Sequence, residues 1–453
     1  MKQVPRKIVI IGCGAAGVSA ASAARKTDRN AEITMLNDER YSAYSRCGMP
    51  YVMEGEIPNF ENLVIYPAQY YNMMKINLHT ETVATDIDPS AKTVKAVDEG
   101  GKEQNFDYDS LIIATGASAL VIPVSGSNLP GVYALRTLDD GRKILEGSKV
   151  AESAVVVGAR LVGLEVAVAL RDHGLEVTVI ELLPQILEGI LDPELAEEIQ
   201  AKLEAVGIRF ILGTGITEIV GRNHVEVARA GSREIKADLV VMATGVRGRT
   251  DLAKKMGVAM GETKLIKVDE HMETNIKEVY AAGDCIECVN AITGKPAVSQ
   301  LGTNAVRQGK VAGVNAAGGN MVYPKILGSC ITRILGTEIA STGLTETHAK
   351  KQGIECISAS AEADARPSYY PERVPVKVKL LANSADGRLI GAQIISIKEA
   401  GPRIDIISAA MMRGATVEDF ILYDHAYCPP LADVVEPVSV VAELVARKLI
   451  RKK

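Results

Sequence analysis

Tryptophan is absent from this chain of 453 residues, and cysteine and phenylalanine are scarce, with seven and four residues. An odd and small number of cysteines in a chain of this length argues against a disulfide scaffold and favours reduced thiols. An important cysteine is therefore expected to be reactive. Since 14 tyrosines make up most of the aromatic residues, a single tyrosine is weak evidence for a functional role.

Long apolar runs are also missing. The most apolar region, residues 153–170, carries Arg160 and Glu165, whereas a membrane-spanning helix needs about 18 uninterrupted apolar residues. The first residues lead directly into the strand-like run Lys7–Ile11 and leave no room for the apolar core and cleavage site of a signal peptide. We therefore expect a cytoplasmic protein that is not embedded in a membrane.

An excess of basic charge is lacking as well. The chain has 51 Lys and Arg against 56 Asp and Glu, a formal net charge of −5, and 47% of its residues are hydrophobic. This composition is typical of a folded, soluble protein and argues against nucleic acid as the main partner. At about 150 residues per domain, the length predicts about three domains.

The sequence contains a duplicated pattern. A β-branched run leads into a glycine-rich turn and a helix-like stretch first at residues 8–26 and again at residues 155–170. Each unit is followed by a buried-strand run that ends in Ala-Thr-Gly, at residues 114–116 and 243–245. The repeat predicts an α/β fold with two Rossmann-like nucleotide-binding domains.

The first glycine turn has the spacing that binds a dinucleotide pyrophosphate. Gly12 makes the tight turn, Gly14 lets the pyrophosphate approach the backbone, and Gly17 permits close packing of helix on strand. The following helix N-terminus then presents free N–H groups to the phosphates. About 20 residues further on, where an acid usually holds the ribose, the chain has Asn37, so the ribose contact stays open.

The second glycine turn is less regular, because Arg160 replaces its middle glycine. Either this side chain turns outward and pairs with phosphate, or the site is weakened. Glu181 ends the next predicted strand, where a carboxylate accepts from a ribose 2′-OH and repels a 2′-phosphate. This acid predicts NADH over NADPH; the alternative is an acid that only caps a strand end.

A third signal is the pair Gly283 and Asp284, which follows a strand-like run. A carboxylate held at a following helix start can accept a hydrogen bond from a polyol hydroxyl, such as the ribitol of FAD. The order of the two glycine turns, the two Ala-Thr-Gly segments and this Gly-Asp pair predicts one FAD site and one NAD site.

With these motifs, the chain resembles the pyridine nucleotide-disulfide oxidoreductase family over nearly its whole length. The resemblance implies an FAD domain in two pieces (residues 1–120 and 248–325), an NAD(H) domain (121–247) and a C-terminal α+β dimerisation domain (326–453). It also implies cofactor contacts at Gly12, Gly14, Ala15, Ala16, Gly17, Asn37, Ser45, Ala114, Thr115, Gly116, Asp284, Gly158, Leu161, Val162, Glu165, Glu181 and Gly245.

The segment Tyr41–Tyr51 contains one cysteine, Cys47, without a CxxC or CxxxxC partner. It resembles the single-cysteine branch of the family, which comprises coenzyme A disulfide reductases, NADH-dependent persulfide or polysulfide reductases and NADH oxidases. In that branch one thiol beside the flavin cycles with a sulfur supplied by the substrate. Arg46 and a nearby helix start are expected to lower the pKa of the thiol; the alternative is an inert buried cysteine.

The tail adds tyrosines to this comparison. The segments with Tyr369, Tyr370 and Tyr427 are similar to those that the coenzyme A branch brings to its active site, the last one from the partner subunit. The phenol of Tyr427 could donate a proton to a departing thiolate; core or surface packing is the alternative. Ala15 stands where NADH peroxidases and many water-forming oxidases carry a histidine, which argues against that peroxide chemistry.

Other candidates carry less weight. Arg25 and Lys26, late in the first helix, are expected to bind the phosphates of a coenzyme A substrate, or else form a solvated helix end. Cys285 and Cys288 form a CxxC, but no second CxxC completes a zinc site, so no metal is predicted. Cys428, beside Tyr427, is left open as a second redox thiol.

Together these features predict a homodimeric, FAD-containing, NADH-dependent reductase of small sulfur compounds. Coenzyme A persulfide or polysulfide is the first choice of substrate, and coenzyme A disulfide is the second. The alternative is an NADH oxidase that passes electrons from reduced FAD to oxygen. Two further alternatives are an electron-transfer protein for a small iron-sulfur acceptor and a flavin-binding redox sensor whose NAD site has decayed at Arg160.

Overall fold

Each glycine turn joins a buried strand to a helix in the computed structural model, which describes residues 4–452. The first part of the chain contains strands β1 Lys7–Ile11, β2 Glu32–Leu36, β3 Ile76–His79, β4 Thr82–Asp88, β5 Thr93–Asp98, β6 Glu103–Asp107, β7 Ser110–Ile113 and β8 Ala117–Ala119, and helices α1 Ala15–Thr27, α2 Met49–Met53 and α3 Ala68–Met73.

The second unit repeats this arrangement. It contains strands β9 Val132–Ala134, β10 Ser153–Val157, β11 Glu176–Ile180, β12 Arg209–Ile211, β13 Ile216–Val220, β14 Val227–Ala230, β15 Arg233–Lys236, β16 Leu239–Met242 and β17 Val246–Gly248, and helices α4 Leu138–Ser148, α5 Leu161–Asp172 and α6 Pro193–Ala205.

The chain then completes the first unit and forms a third. These parts contain strands β18 Val279–Ala281, β19 Cys288–Val289, β20 Pro296–Ala297, β21 Cys330–Ile334, β22 Thr337–Gly343, β23 Cys356–Asp364, β24 Pro375–Asn383 and β25 Leu389–Ser396, and helices α7 Asp251–Lys255, α8 Gly302–Ala316, α9 Glu346–Lys351, α10 Ala400–Met411 and α11 Pro437–Lys452.

Two parallel five-stranded sheets have matching topologies. Their strand orders are β18-β7-β1-β2-β3 and β12-β11-β10-β16-β9, so β1 and β10 occupy equivalent central positions. Strands β7, β10 and β16 are buried along their whole length, as expected for parallel strands that are covered on both faces. The prediction of two Rossmann-like domains is confirmed.

The two nucleotide units are connected at a short antiparallel pair, β8 with β17. Strand β18 joins β7 in the first sheet, so the first unit is discontinuous in sequence. Helices α1 and α8 pack so closely that a Cβ at Gly309 or Gly313 would overlap backbone atoms of α1. The predicted domain boundaries near residues 120, 247 and 325 remain a proposal.

The third unit is an antiparallel sheet of order β21-β22-β25-β24-β23. Strand β25 is buried throughout, because α10 and α11 cover one face with a core of aliphatic residues. Ile339 and Ile395 belong instead to the core of the second unit. The third unit therefore packs on the second and brings its edge strand β21 to helix α5.

Among the helices of residues 4–452, none has the length and apolar character needed to cross a bilayer.

Candidate functional site

The first glycine turn is shaped to receive a pyrophosphate. Gly12 has φ +111°, and a Cβ there would overlap the carbonyl oxygen of Ala114, while a Cβ at Gly17 would overlap the carbonyl oxygen of Gly12. Beside Gly14 a Cβ would meet nothing within 4 Å. The turn is thus closed on its protein side and open at Gly14, in front of the N-terminus of α1, and it fits an FAD pyrophosphate.

A cavity of about 370 Å³ adjoins this turn. It is lined by Gly12, Leu36, Asp38, the start of β4, Thr115, Arg249 and the start of α7. The predicted residue Asn37 is buried, and its amide donates to the carbonyls of Glu39 at 2.8 Å and Tyr41 at 2.7 Å. Asn37 therefore shapes the loop with its side chain, while the neighbouring Asp38 lines the cavity.

The Ala-Thr-Gly segment closes the same cavity. Ala114 is buried, Gly116 has φ +64°, and the Thr115 hydroxyl donates to the carbonyl of Arg249 at 2.6 Å. Arg249 in turn pairs with Asp38 at 2.6 Å. The spacing of the glycine turn did not point to Arg249, because this residue meets Asp38 across 211 positions of the chain.

Asp284, the predicted ribitol contact, forms an ion pair that the sequence did not predict. Arg136 Nη2 lies 2.9 Å from Asp284 Oδ2, and Arg136 Nε donates to the carbonyl of Ala117 at 3.0 Å. The side chains of Arg136 and Asp284 are only 20% and 14% exposed. Arg136 lies between β9 and α4, so a residue of the second unit holds the acid of the first.

Cys47 lies in a one-turn 3-10 helix, Arg46–Gly48, directly before α2, and its side chain is exposed. A Cβ at Gly48 would overlap the side chain of Leu63, and the Ser45 amide donates to the Leu63 carbonyl at 2.8 Å. The segment is therefore held tightly beneath an accessible thiol. The exposure of Cys47 contradicts a buried cysteine, and the reactivity of its thiol stays a prediction.

The net effect of the surroundings of Cys47 is to oppose its ionisation. Desolvation of the thiol by the protein around it is the main cause that raises its pKa, the negative charges of Glu165 and Asp284 raise it further, and Arg136 lowers it. Arg46 does lower the pKa of the thiol, as predicted, but its effect is smaller than those that raise it, so the net shift is upward. Arg46 donates to Glu39 at 2.6 Å and to the carbonyl of Arg136 at 2.6 Å, so its charge is largely compensated, and helix α2 has only five residues.

Glu165 links three units of the structure. It lies on α5, is buried, and accepts a hydrogen bond from Thr332 Oγ1 of β21 at 2.5 Å. Burial raises the pKa of its carboxyl group. Because Glu165 also influences the thiol of Cys47 and the phenol of Tyr51, the helix of the second glycine turn, the cysteine segment and the edge of the third sheet converge here.

The second glycine turn is intact. Gly158 has φ +108°, and Cβ atoms at Gly158 and Gly163 would overlap the backbone oxygens of Ala243 and Gly158. Glu181 accepts from the amide of Ala159 at 2.7 Å and from that of Leu183 at 2.9 Å. The carboxylate thus lies against the glycine turn, where it can face a nucleotide ribose. The remaining predicted contacts surround the same turn: Leu161 and Val162 begin α5, and Gly245 is exposed with φ +99°.

The predicted tyrosines lie on the third unit. The hydroxyls of Tyr369 and Tyr427 are 2.7 Å apart, and both side chains are exposed. This hydrogen bond raises the pKa of Tyr369. Tyr370 is half-buried, and its amide donates to the Pro367 carbonyl. The first two tyrosines therefore form one exposed pair, with Cys428 exposed beside it.

The remaining candidates, Arg25, Lys26, Cys285 and Cys288, show no sign of a binding or redox role. The guanidinium of Arg25 donates to backbone carbonyls of Arg29, Met74 and Lys75 at 2.7–2.9 Å, which anchors a loop and gives no support to a coenzyme A contact; Lys26 is exposed. Cys285 and Cys288 are buried, and burial raises the pKa of each thiol to about 11. Residues 4–452 contain no group of His, Cys, Asp or Glu side chains suited to hold a metal.

Comparison with known proteins agrees with this geometry. Residues 6–309 match the family model described as pyridine nucleotide-disulphide oxidoreductase, and residues 331–438 match the dimerisation domain of that family. The chain is 39% identical over 449 residues to an NADH oxidase of Methanocaldococcus jannaschii, a match that covers 98% of this chain and 100% of that protein.

Relatives that act on sulfur are similarly close. The chain is 34% identical over 448 residues to the NAD(P)H coenzyme A polysulfide/persulfide reductase of Pyrococcus horikoshii, covering 98% of this chain and 99% of that protein. A solved structure of a NAD-dependent persulfide reductase from A. fulgidus superposes with a TM-score of 0.94 at 37% identity, covering 98% of this chain and 83% of the other.

Proposed function

This chain belongs to the pyridine nucleotide-disulphide oxidoreductases, and on that premise we propose that it is a homodimeric reductase that uses NADH to reduce coenzyme A persulfide or polysulfide. Coenzyme A disulfide is the second choice of substrate. The observation that carries the proposal is the exposed thiol of Cys47, held on a rigid turn within electrostatic reach of Asp284 and Glu165.

The glycine turns assign the cofactors. Gly12, Gly14, Asp38 and Asp284 would hold FAD, and Gly158, Glu181 and the N-terminus of α5 would hold NADH. When bound, FAD supplies a two-electron relay between NADH and a sulfur on Cys47. The Glu181 carboxylate favours a free ribose 2′-OH over a 2′-phosphate by charge, which supports NADH as the donor.

Cys47 provides the nucleophile. Its thiolate attacks the outer sulfur of coenzyme A persulfide, so the S–S bond of the substrate breaks and a Cys47 persulfide forms, while the coenzyme A thiolate leaves and takes up a proton. Two electrons from NADH then break the S–S bond of the Cys47 persulfide, release hydrosulfide and regenerate the thiolate, and the proton of the NADH hydride balances the one that the coenzyme A thiolate takes up. With coenzyme A disulfide the same attack forms a mixed disulfide, and each turnover yields two coenzyme A thiols.

The tyrosine pair supports the proton step. Tyr427 accepts or donates a hydrogen bond with Tyr369 at 2.7 Å, and both lie on the unit that matches the dimerisation domain. A phenol delivered by the partner subunit can protonate the departing thiolate. Four exposed apolar residues close to Tyr427 in sequence, Leu422, Leu431, Val434 and Val435, support burial of this segment in a dimer.

An NADH oxidase is the second candidate. The 39% identity to the Methanocaldococcus jannaschii NADH oxidase favours it. In that case reduced cofactor passes electrons to oxygen, and Cys47 is either a sulfenic acid carrier or a spectator.

Steady-state rates of NADH consumption separate these candidates. The experiment measures these rates with oxygen alone, and anaerobically with coenzyme A persulfide or coenzyme A disulfide, in the wild type and in Cys47→Ser. The proposal expects faster turnover with a sulfur acceptor and its loss in Cys47→Ser; faster turnover with oxygen would reject it.

Cys428→Ser is the matched control, because Cys428 is also exposed. An electron-transfer protein for an iron-sulfur acceptor would keep its transfer activity in Cys47→Ser. A redox sensor with a decayed NAD site would show no rapid bleaching of its flavin by NADH.

A further inference from the structure

Arg160 occupies the position in the second glycine turn that Gly14 occupies in the first. The two turns start with nearly equal φ values, +111° at Gly12 and +108° at Gly158. Two residues later the backbone is extended in both, with φ −78° and ψ −170° at Gly14 and φ −93° and ψ −169° at Arg160. An arginine adopts this conformation without strain, so the substitution leaves the turn unchanged and adds only a side chain.

That side chain lies at the N-terminal end of α5. Arg160 is the N-cap of this 12-residue helix, makes no capping hydrogen bond, and is followed by a first turn without acidic residues. It is exposed, and within residues 4–452 no carboxylate pairs with it, whereas Arg171 at the other end of the helix pairs with Asp172 at 2.9 Å.

The turn beneath Arg160 is built as a nucleotide site, since Gly158 and Gly163 permit close packing and Glu181 binds the amide of Ala159 at 2.7 Å. A glycine at the middle position would let a pyrophosphate contact the backbone closely. Arginine at that position offers a planar fork of N–H donors that matches phosphate oxygens.

We propose that the guanidinium of Arg160 binds the pyrophosphate of the nicotinamide dinucleotide and thereby replaces the close backbone approach that a glycine would allow. This inference rests on the proposed function, since it takes NADH as the donor. NADH and NADPH share the pyrophosphate, so Arg160 strengthens both equally, while Glu181 discriminates between them. Arg160 therefore sets affinity, and Glu181 sets the choice of coenzyme.

The test measures binding to the oxidised holoenzyme without turnover. Isothermal titration calorimetry with ADP-ribose, adenosine and NAD⁺ is carried out at several salt concentrations for the wild type, Arg160→Lys, Arg160→Gln and Arg160→Gly. Loss of a charge-assisted phosphate contact is expected to raise the Kd for ADP-ribose and NAD⁺ about 10-fold in Arg160→Gln, with a smaller rise in Arg160→Lys. Adenosine, which lacks phosphate, binds all four proteins alike.

Salt dependence and a charge-matched control complete the test. The salt dependence of ADP-ribose binding falls in Arg160→Gln, because one screened ion pair is gone. Arg222→Gln, at an exposed position between β13 and β14, removes the same charge and leaves the Kd unchanged. Equal binding of ADP-ribose by Arg160→Gln and the wild type would overturn the inference, as would an unchanged salt dependence in Arg160→Gln; Arg160→Gly shows how much affinity a close backbone approach restores.

Failure of the proposed function gives a different result. A wild type that binds ADP-ribose in an Arg160-dependent way but whose flavin is not reduced by NADH contradicts NADH as donor and supports the pyrophosphate contact. A wild type that binds no ADP-ribose contradicts both.

Discussion

At the scale of single residues, the thiol of Cys47 is accessible, but the net effect of its surroundings is to raise its pKa. After burial, the negative charge of Glu165 is the largest contribution that raises its pKa. A thiol with a raised pKa is mostly protonated at neutral pH, and its reactivity increases as the pH rises through that pKa.

Glu165→Gln is therefore expected to lower the pKa of Cys47 and to speed its alkylation several-fold at pH 8. The rate with iodoacetamide is measured from pH 6 to 10 in a Cys428→Ser background, which removes the other exposed thiol. Above the pKa both proteins react alike, because the thiol is ionised in each. A rate profile that does not move toward lower pH contradicts the electrostatic link between Glu165 and Cys47.

Arg136 is the second residue with a testable role, because it holds the largely buried Asp284 from the neighbouring unit. Arg136→Met removes a charge-assisted pair and is expected to reduce the free energy of unfolding by about 2 kcal/mol and to weaken retention of FAD. Arg136→Lys loses less stability, since it keeps the charge but not the fork that also reaches Ala117.

Urea unfolding and the FAD content after gel filtration measure these effects. Arg40→Met is the control, because Arg40 forms an exposed pair with Asp139 whose loss is expected to cost less than about 1 kcal/mol. An equal loss of stability in both variants would show that the Arg136–Asp284 pair has no special weight.

At the scale of elements, the cysteine segment is tied to the third sheet through the end of α2. Arg333 of β21 pairs with Glu56, and its guanidinium lies 5.6 Å from the ring centre of Tyr51. Glu54, at the C-terminal end of α2, lies among acidic neighbours. Burial, and then the charge of Glu56, raise the pKa of Glu54 to about 7.

Glu54 is therefore expected to make stability depend on pH. An acid whose pKa is higher in the folded than in the unfolded protein favours folding while it is protonated, so this contribution is complete below the unfolded pKa near 4.5 and is lost as the pH rises toward 7. Glu54→Gln removes the penalty and stabilises the protein at pH 8 by on the order of 1 kcal/mol after screening by solvent, with little effect at pH 4.

Thermal unfolding at pH 4, 6 and 8 checks this prediction. Glu99→Gln, in the exposed turn between β5 and β6, is the control and shifts the midpoint little at any pH. A gain from Glu54→Gln that is equal at pH 4 and pH 8 would refute the assigned titration.

At the scale of the whole molecule, a buried ionic cluster joins the second and third units. Lys379 of β24 is 3% exposed and lies 3.0 Å from the fully buried carboxylate of Asp192, with Glu194 and Glu346 also in contact. Asp192 additionally accepts from Gln393 at 2.6 Å. This cluster holds the third sheet, and with it Thr332, against the nucleotide unit.

Lys379→Met leaves Asp192 buried without its cation and is expected to destabilise the protein by about 3–5 kcal/mol. The double variant Asp192→Asn with Lys379→Met recovers part of the loss, because no buried charge remains uncompensated. Lys377→Met, two residues away on the same strand and paired with the half-exposed Glu198, costs about 1 kcal/mol or less.

Urea unfolding of the four proteins checks this order of stabilities. A double variant that is no more stable than Lys379→Met would show that the loss comes from packing and not from the uncompensated charge.

Local motifs were sufficient to predict the family, the α/β fold and the two nucleotide units. The glycine turns at Gly12 and Gly158 are specified by backbone sterics within a few consecutive residues, so their spacing alone identifies them. The repetition of strand, turn and helix carries the topology for the same reason, because parallel strands joined through helices assemble in few ways.

Contacts between distant parts of the chain settled the details of the site. They brought Arg136 to Asp284, placed Glu165 where it raises the pKa of Cys47, and engaged Arg25 with the carbonyls of Met74 and Lys75. Each of these outcomes depends on which residues meet across many positions of the chain or on how deeply a charge is buried. Spacing along a sequence carries neither quantity, since both arise only when the units pack together.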